Sequence, residues 1–166
     1  MEKVLVIGCP GAGKSTLARR LHDLTGLPLY HLDLIWHLPD RSHVPQEVFD
    51  RCLSEILAKE RWIIDGNYGR TLEMRLEKCD TVLFLDYPLD VCLSGATARV
   101  GKKRSDLPWV EECFDGEFRQ WILDFPREQL PQIYELLSRV GRGKKILIFH
   151  SRAEAEKWIK ILEERI

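Results

Sequence analysis

The sequence predicts a three-layer α/β fold built on a parallel five-stranded sheet, and two observations carry that prediction. Five apolar runs of strand length are continuous rather than alternating, as expected of strands covered on both faces. Segments with helical apolar spacing lie between them, and such β-α alternation closes as a doubly wound sheet, here expected in the order 2-3-1-4-5. A chain of 166 residues suits a single domain over residues 1–166.

The first run is KVLVIG (3–8). After a Gly-rich stretch, Leu17, Leu21 and Leu24 share a helix face. LPLYHL (27–32) reads as the second strand. Val48, Phe49, Cys52, Leu53, Ile56 and Leu57 then follow Pro45, a residue suited to a first helical turn. RWIIDG (61–66) and TVLFLDY (81–87) are the third and fourth strands, the latter running into a proline-started helix. From Arg99 to about Asp124 no strand pattern occurs, and RVGKKRSDLPW is rich in charge, so a mobile lid is expected over about 99–120. Trp109, Phe114, Phe118, Trp121, Ile122 and Phe125 read as a helix face closing over core. Leu130, Ile133, Leu137 and Val140 mark a further helix ending near Gly141. KKILIFH (144–150) is the fifth strand, and Ala155, Trp158, Ile159 and Leu162 mark the last helix.

Composition narrows the function classes. Hydrophobic residues make up 45% and charged residues 31%, with a net charge of −1. That balance is ordinary for a soluble globular protein and gives no reason to expect nucleic acid or anionic lipid as a partner. No apolar run approaches the roughly 20 residues that span a membrane. The five cysteines are scattered without a CxxC pair, which fits reduced thiols, and no signal-peptide pattern opens the chain. A cytoplasmic location is therefore expected.

Gly8-x-x-x-x-Gly13-Lys14-Ser15 matches the phosphate-binding P-loop at every defined position, with a strand before it and an amphipathic helix after it. In such a loop Gly8, Pro10, Gly11, Ala12 and Gly13 let backbone N–H groups converge on phosphate at a helix N-terminus. Lys14 is expected to reach the β- and γ-phosphates of ATP, and Ser15 to ligate Mg²⁺, with Thr16 supporting the first helical turn. Cys9 fills a free position as a small residue. Mg²⁺ also calls for a carboxylate at a neighbouring strand end. Asp65 is favoured over Asp86, because Gly66 leaves room beside it and Arg70 returns a cation to the same mouth; Asp86 reads as a helix cap.

These features resemble nucleoside-monophosphate kinases of the adenylate kinase type. The likeness runs through the P-loop, DGNYGR (65–70), YPLDVCLSGATAR (87–99), VGKKR (100–104) and FHSR (149–152). In place of that family's aromatic-proline turn stands Asn67-Tyr68-Gly69, and Lys103 stands where an arginine is expected. A closer resemblance is to the bacterial DNA topology modulation proteins, adenylate kinase-related and P-loop kinase-like. It is carried by HLDLIWHLP (31–39), WIIDGNY (62–68) and WILDFPREQLPQI (121–133).

The resemblance implies an adenylate kinase-like P-loop NTPase fold with a lid insertion and an acceptor-side helical segment over about 33–60. It also implies use of ATP and Mg²⁺. In small-molecule kinases of this fold, such as shikimate kinase, an aspartate just past the second strand binds the acceptor hydroxyl; Asp33 stands there. Trp36, Gly66, Asn67, Tyr68 and Arg70 complete the expected acceptor site. His31 and His37 lack a metal-ligand pattern. Arg99 and Arg104, flanking Lys102 and Lys103, would neutralise charge on the transferring group, with Arg119 and Arg127 reaching back from the following helix. Arg152 would pack on adenine. Arg139, Arg142, Lys144 and Lys145 read as a solvated cluster.

The expected activity is transfer of the ATP γ-phosphoryl group to a small-molecule or nucleotide acceptor. The alternative is a nucleotide-dependent regulator with little turnover, including a role in DNA topology. Neither a helix-turn-helix nor an RNP-like signature supports direct nucleic-acid binding. A guanine-reading motif is likewise missing, which favours ATP over GTP.

Overall fold

The computed structural model describes residues 1–165. The expected sheet is present: β1 (Lys3–Gly8), β2 (Leu29–His31), β3 (Trp62–Asp65), β4 (Thr81–Leu85) and β5 (Lys145–Phe149) pair in the order β2-β3-β1-β4-β5, all parallel. β3 and β4 are buried throughout and β1 from Val4 onward, which is why their runs are apolar without alternation. The edge strands β2 and β5 are largely half-buried and shorter than their apolar runs. Pro28, with no N–H to give a sheet ladder, stands outside β2.

Among the described residues eight helices cover the two faces of the sheet: α1 (Lys14–Thr25), α2 (Leu32–Trp36), α3 (Gln46–Leu57), α4 (Gly69–Lys78), α5 (Leu89–Ala98), α6 (Gly116–Glu128), α7 (Leu130–Val140) and α8 (Arg152–Glu163). α4 has no counterpart in the apolar pattern. Its buried face is only Thr71, Leu72, Arg75 and Leu76, too mixed in character to show helical periodicity. α6 starts inside the expected lid, with Asp115 accepting a hydrogen bond from the Phe118 N–H at 3.0 Å as its cap. Trp109 and Phe114 therefore stand before this helix and not on its face, and Trp121 is exposed. The segment between α5 and α6 has neither helix nor strand. Among the described residues no helix is long and apolar enough to cross a membrane.

The topology decides where a ligand can lie. β1 is flanked by β3 on one side and β4 on the other, so the chain leaves the sheet in opposite directions around it. A crevice opens there, at the carboxyl ends of the strands. The P-loop fills that crevice and is packed from behind by α5. A Cβ on Gly95 would stand 2.0 Å from the Gly11 carbonyl oxygen, and a Cβ on Gly11 2.0 Å from that of Cys92. Two backbones touch here with no side chain between them. Gly11 is also held at φ +83°, where L side chains are strained.

Gly95→Ala tests this contact. On an open helix the change would stabilise by about 0.5–1 kcal/mol. Here overpacking reverses the sign, and a loss of about 1–3 kcal/mol is expected from urea unfolding. An unchanged or raised midpoint would show that the loop is free to move away from α5.

Candidate active site

A cleft of about 930 Å³ lies at the carboxyl ends of the strands. From the P-loop and the start of α1 it is lined by Pro10, Gly11, Gly13, Lys14, Ser15 and Thr16. Gly8 and Ala12 are buried in the loop's support and do not line it. Lys14 Nζ donates to the Cys9 carbonyl at 3.1 Å across the loop. Burial lowers the Lys14 pKa, and the carboxylates of Asp65 and Asp33 oppose that shift. Cys9 is buried against Cys92, and this sulfur–sulfur hydrogen bond, followed by burial, pushes its thiol pKa far up. It is a packing residue and no nucleophile.

Asp65, at the end of β3, is 3% exposed and opens into the cleft. Its Oδ1 accepts from His31 Nδ1 at 2.9 Å, while its Oδ2 is buried without a hydrogen-bond partner. A buried carboxylate oxygen left unpaired costs free energy unless a ligand completes it. Asp86 neither lines the cleft nor caps a helix. It accepts from the Tyr134 hydroxyl at 2.5 Å, its Oδ2 lies 3.6 Å from His150 Nδ1, and Pro88 is the residue at the α5 N-cap.

The turn from β3 into α4 is fixed by a residue that sequence reasoning missed. Arg75 is fully buried and donates to three carbonyls of the turn, those of Gly66 at 2.8 Å, Asn67, and Tyr68 at 3.0 Å. Its Nε donates to the Thr71 carbonyl at 3.3 Å. Burial drives its pKa down to about 9, with Tyr68 and Cys79 opposing before Asp65. Asn67 spends its side chain on the P-loop, accepting from the Gly8 N–H at 3.0 Å and donating to the Gly8 carbonyl at 2.5 Å. It is thus a strut between β1 and β3, although it also borders the cleft. Tyr68 is held at φ +37°, an unusual value for a non-glycine residue, and its hydroxyl donates to Asp33 Oδ1 at 2.7 Å. Gly66, at φ +126°, leaves space that Leu32 and Tyr68 fill from either side. Trp36 lines the cleft, stacked on His43 with ring centroids 4.2 Å apart and edge-on to Tyr68 at 6.5 Å. Arg70 does not reach this mouth: it pairs outward with Asp50 at 2.6 Å on α3.

The lid brings its own carboxylates. Arg104 pairs with Asp106 and, at 2.9 Å, with Glu111. Arg99 Nε stands 2.9 Å from Glu111 Oε2 without hydrogen-bond alignment, and its Nη2 donates to Oε1 at 3.3 Å. The Arg99 guanidinium also covers the Phe118 ring at 5.1 Å. Asp106 is 2% exposed and lies 3.4 Å from Arg19 Nη1, and both it and Ser15 line the cleft. Lys103 lines the cleft from an exposed irregular stretch, whereas Lys102, Arg119 and Arg127 do not line it. Arg127 instead pairs on the surface with Asp124 and Glu128. Arg152 borders the P-loop, donating to the Gly11 carbonyl at 3.2 Å.

Among the described residues no group of three or more His, Cys, Asp or Glu could enclose a metal. Ser15 and Asp65, with its unpaired Oδ2, instead bring a sparse set of hard oxygen donors to the cleft. That set fits Mg²⁺, which keeps several waters and takes one or two carboxylates alongside phosphate.

Asp106 gives the lid a pH dependence. Burial raises its pKa, but the Arg104 hydrogen bond and charge, with Ser15 adding to them, outweigh this and hold it at about 2, against 3.8 unperturbed. A carboxyl depressed on folding stabilises fully above the unfolded value and loses that contribution as pH falls through the folded one. Asp106→Asn should therefore lower stability by about 2 kcal/mol at pH 7. Its deficit against the parent should close between pH 4 and pH 2, read from urea midpoints across that range. A deficit that is the same at pH 7 and pH 2 would mean that the ion pair contributes nothing.

No family model and no curated protein matches the chain. Solved structures do match over nearly its full length. Shikimate kinase from Acinetobacter baumannii in complex with shikimate superposes with a TM-score of 0.61 at 17% identity, covering 99% of this chain and 94% of that one. Shikimate kinase from Bacteroides thetaiotaomicron does so with 0.57 at 19% identity, covering 98% and 96%. The chain therefore has the P-loop kinase-like fold of these enzymes.

Proposed function

We propose that this protein is an ATP-dependent kinase that transfers the γ-phosphoryl group to a hydroxyl of a small-molecule or nucleotide acceptor. One observation carries the reading. A single cleft has the P-loop on one wall and the Asp33–Tyr68 pair on another, with the unpaired oxygen of Asp65 open to the same space. The likeness to shikimate kinases supports a phosphotransferase on grounds of fold. Of the segments that resemble topology modulation proteins, 31–39 and 62–68 supply Asp33, Trp36, Asp65 and Tyr68 to the cleft, so a member of that family would use the same site.

In this reading Lys14 and the amides of Gly11–Thr16 bind the phosphates of ATP. Ser15 and Asp65 hold Mg²⁺ directly or through water. When bound, Mg²⁺ supplies positive charge against the phosphate oxygens. The Tyr68 hydroxyl occupies Asp33 Oδ1 and fixes the carboxylate, leaving Oδ2 to orient the acceptor hydroxyl and take its proton. The acceptor oxygen forms its bond to the γ-phosphorus as the bond to the β–γ bridging oxygen breaks, and ADP leaves. Arg99 and Arg104 give up Glu111 and Asp106 for the transferring group. Exchange of lid carboxylates for phosphate couples closure to nucleotide. The pairing of Arg99 and Arg104 with Glu111 is the observation favouring the alternative, a regulator whose lid responds to ATP with little turnover.

ADP release from Mg-ATP, measured over acceptors from shikimate to nucleosides and their monophosphates, separates the two. Lys14→Ala should cut acceptor-stimulated release by about 10²–10³-fold, as loss of a preorganised charge does. Asp33→Asn keeps the Tyr68 hydrogen bond but not the charge, and should lower kcat by about 10²–10⁴-fold with ATP affinity intact. Tight ATP binding with slow release that no acceptor stimulates would establish the regulator instead.

A further inference from the structure

Within that kinase reading, we infer that the acceptor is an uncharged hydroxylated molecule carrying a flat ring, of the nucleoside type, and not an anion such as a nucleoside monophosphate or a carboxylic acid. The argument rests on which elements bring charge to the cleft. Its six cationic lining residues are Lys14 and Arg19 on α1, Arg99, Lys103 and Arg104 at the lid, and Arg152 at the start of α8. All of them belong to the phosphate side or to the lid above it. Arg19, Arg99 and Arg104 are moreover matched to Asp106 and Glu111.

The opposite wall is built by α2, the turn at 65–69, Trp109 and α6. Among the described residues it brings no cation to the cleft. Arg70 is turned out to Asp50, and Arg119 and Arg127 lie on the outer surface. Arg75 lies behind the turn with its N–H groups spent on carbonyls. His37 borders the wall, but burial lowers its pKa despite the Asp33 charge, which keeps the imidazole neutral. The charge this wall does carry is negative, that of Asp33 and, deeper, Asp65. Arg99 lies over Phe118 and within the field of Asp33, but its charge is already matched by Glu111. An acceptor phosphate or carboxylate would therefore be desolvated beside Asp33 without a cation of its own, a cost that charged recognition sites avoid by adding an unpaired arginine.

What the wall offers is aromatic surface. Trp36, Tyr68, Trp109 and Phe118 line it, with Trp36 edge-on to Tyr68 and Trp109 edge-on to His37 at 4.8 Å. Such side chains bury a flat ring well, and Gln129 adds an amide able to donate and accept. A ring held there sets one hydroxyl against Asp33.

The test uses matched pairs, adenosine, cytidine, guanosine and thymidine against their 5′-monophosphates, with shikimate as a ring acid. The readout is acceptor-dependent ADP release with Mg-ATP. At least one nucleoside should stimulate release with kcat/KM about tenfold or more above its monophosphate, the cost of one unmatched charge. Trp36→Ala should raise KM for that nucleoside more than it lowers kcat, with thermal melting confirming that the variant folds. Gln129→Arg, which places a cation on the wall, should move the preference towards the monophosphate by about tenfold. Preference of the parent for a monophosphate or for shikimate would overturn the inference while leaving the kinase standing. Failure of every acceptor to stimulate release from bound Mg-ATP would overturn both.

Discussion

The buried guanidinium of Arg75 is the constraint from which the rest of the cleft follows. It takes the carbonyls of Gly66, Asn67 and Tyr68, a turn whose backbone runs through φ +126° at Gly66 and φ +37° at Tyr68. Left alone, neither the orphan carbonyls nor the left-handed tyrosine would hold that shape. Once the turn is held, two side chains leave it in opposite roles. Asn67 ties β3 to the first residue of the P-loop through paired hydrogen bonds, and Tyr68 fixes Asp33 on α2. One cation in the core thereby sets the spacing between the phosphate wall and the acceptor wall. It touches neither wall's ligand.

The sheet and the P-loop were legible because their signals are local. A continuous apolar run has few readings, and Gly8 to Ser15 has fewer. That Asp65 and not Asp86 lines the cleft was also legible from a neighbour, Gly66, though the orienting partner His31 came from a different strand and carried no signal of its own. Arg70 and Arg75 show where such reading stops. Both are arginines on α4, five positions apart, and neither composition nor motif says which points inward. The one expected in the cleft is paired outside it, and the one given no role is wholly buried. α4 itself was hidden for the same reason, since a helix whose buried face includes an arginine and a threonine has little apolar period. Asp106 carried no signal among the lid cations, because its partner Arg19 comes from α1.

The lid is electrostatically self-contained. Arg99 and Arg104 meet Glu111 and Asp106 within the same segment, and Asp106 also reaches Arg19 on α1. Four unlike charges at close range in a partly desolvated place attract strongly, yet each has left water to get there, so the net gain is modest. A modest gain is what a lid requires. Too strong an internal network would exclude the nucleotide, and too weak a one would leave bare guanidinium groups to bind any anion. In the proposed kinase reading, phosphate brings more charge than a carboxylate and displaces it, with the released carboxylates returning to solvent.

Likeness of fold and identity of acceptor are set by different parts of this chain. The position of the P-loop is dictated by the crossing of chain directions around β1, and any sequence folding into this sheet order inherits it. The acceptor wall has no such origin. It is made by a five-residue helix, a turn held through a buried arginine, and the residues before and along α6, all placed by side-chain contacts specific to this sequence. Superposition with shikimate kinases at 17–19% identity therefore speaks for the fold and is silent about the acceptor. The charges on the acceptor wall are the relevant guide there, because a pocket's sign cannot be repaired by small shifts in backbone. Removing an anion from water beside Asp33 costs several kcal/mol unless a cation replaces the lost hydration. Around Asp33 the cleft brings aromatic rings and a single arginine, Arg99, whose charge Glu111 already holds, where a site for an anion would bring an unpaired one.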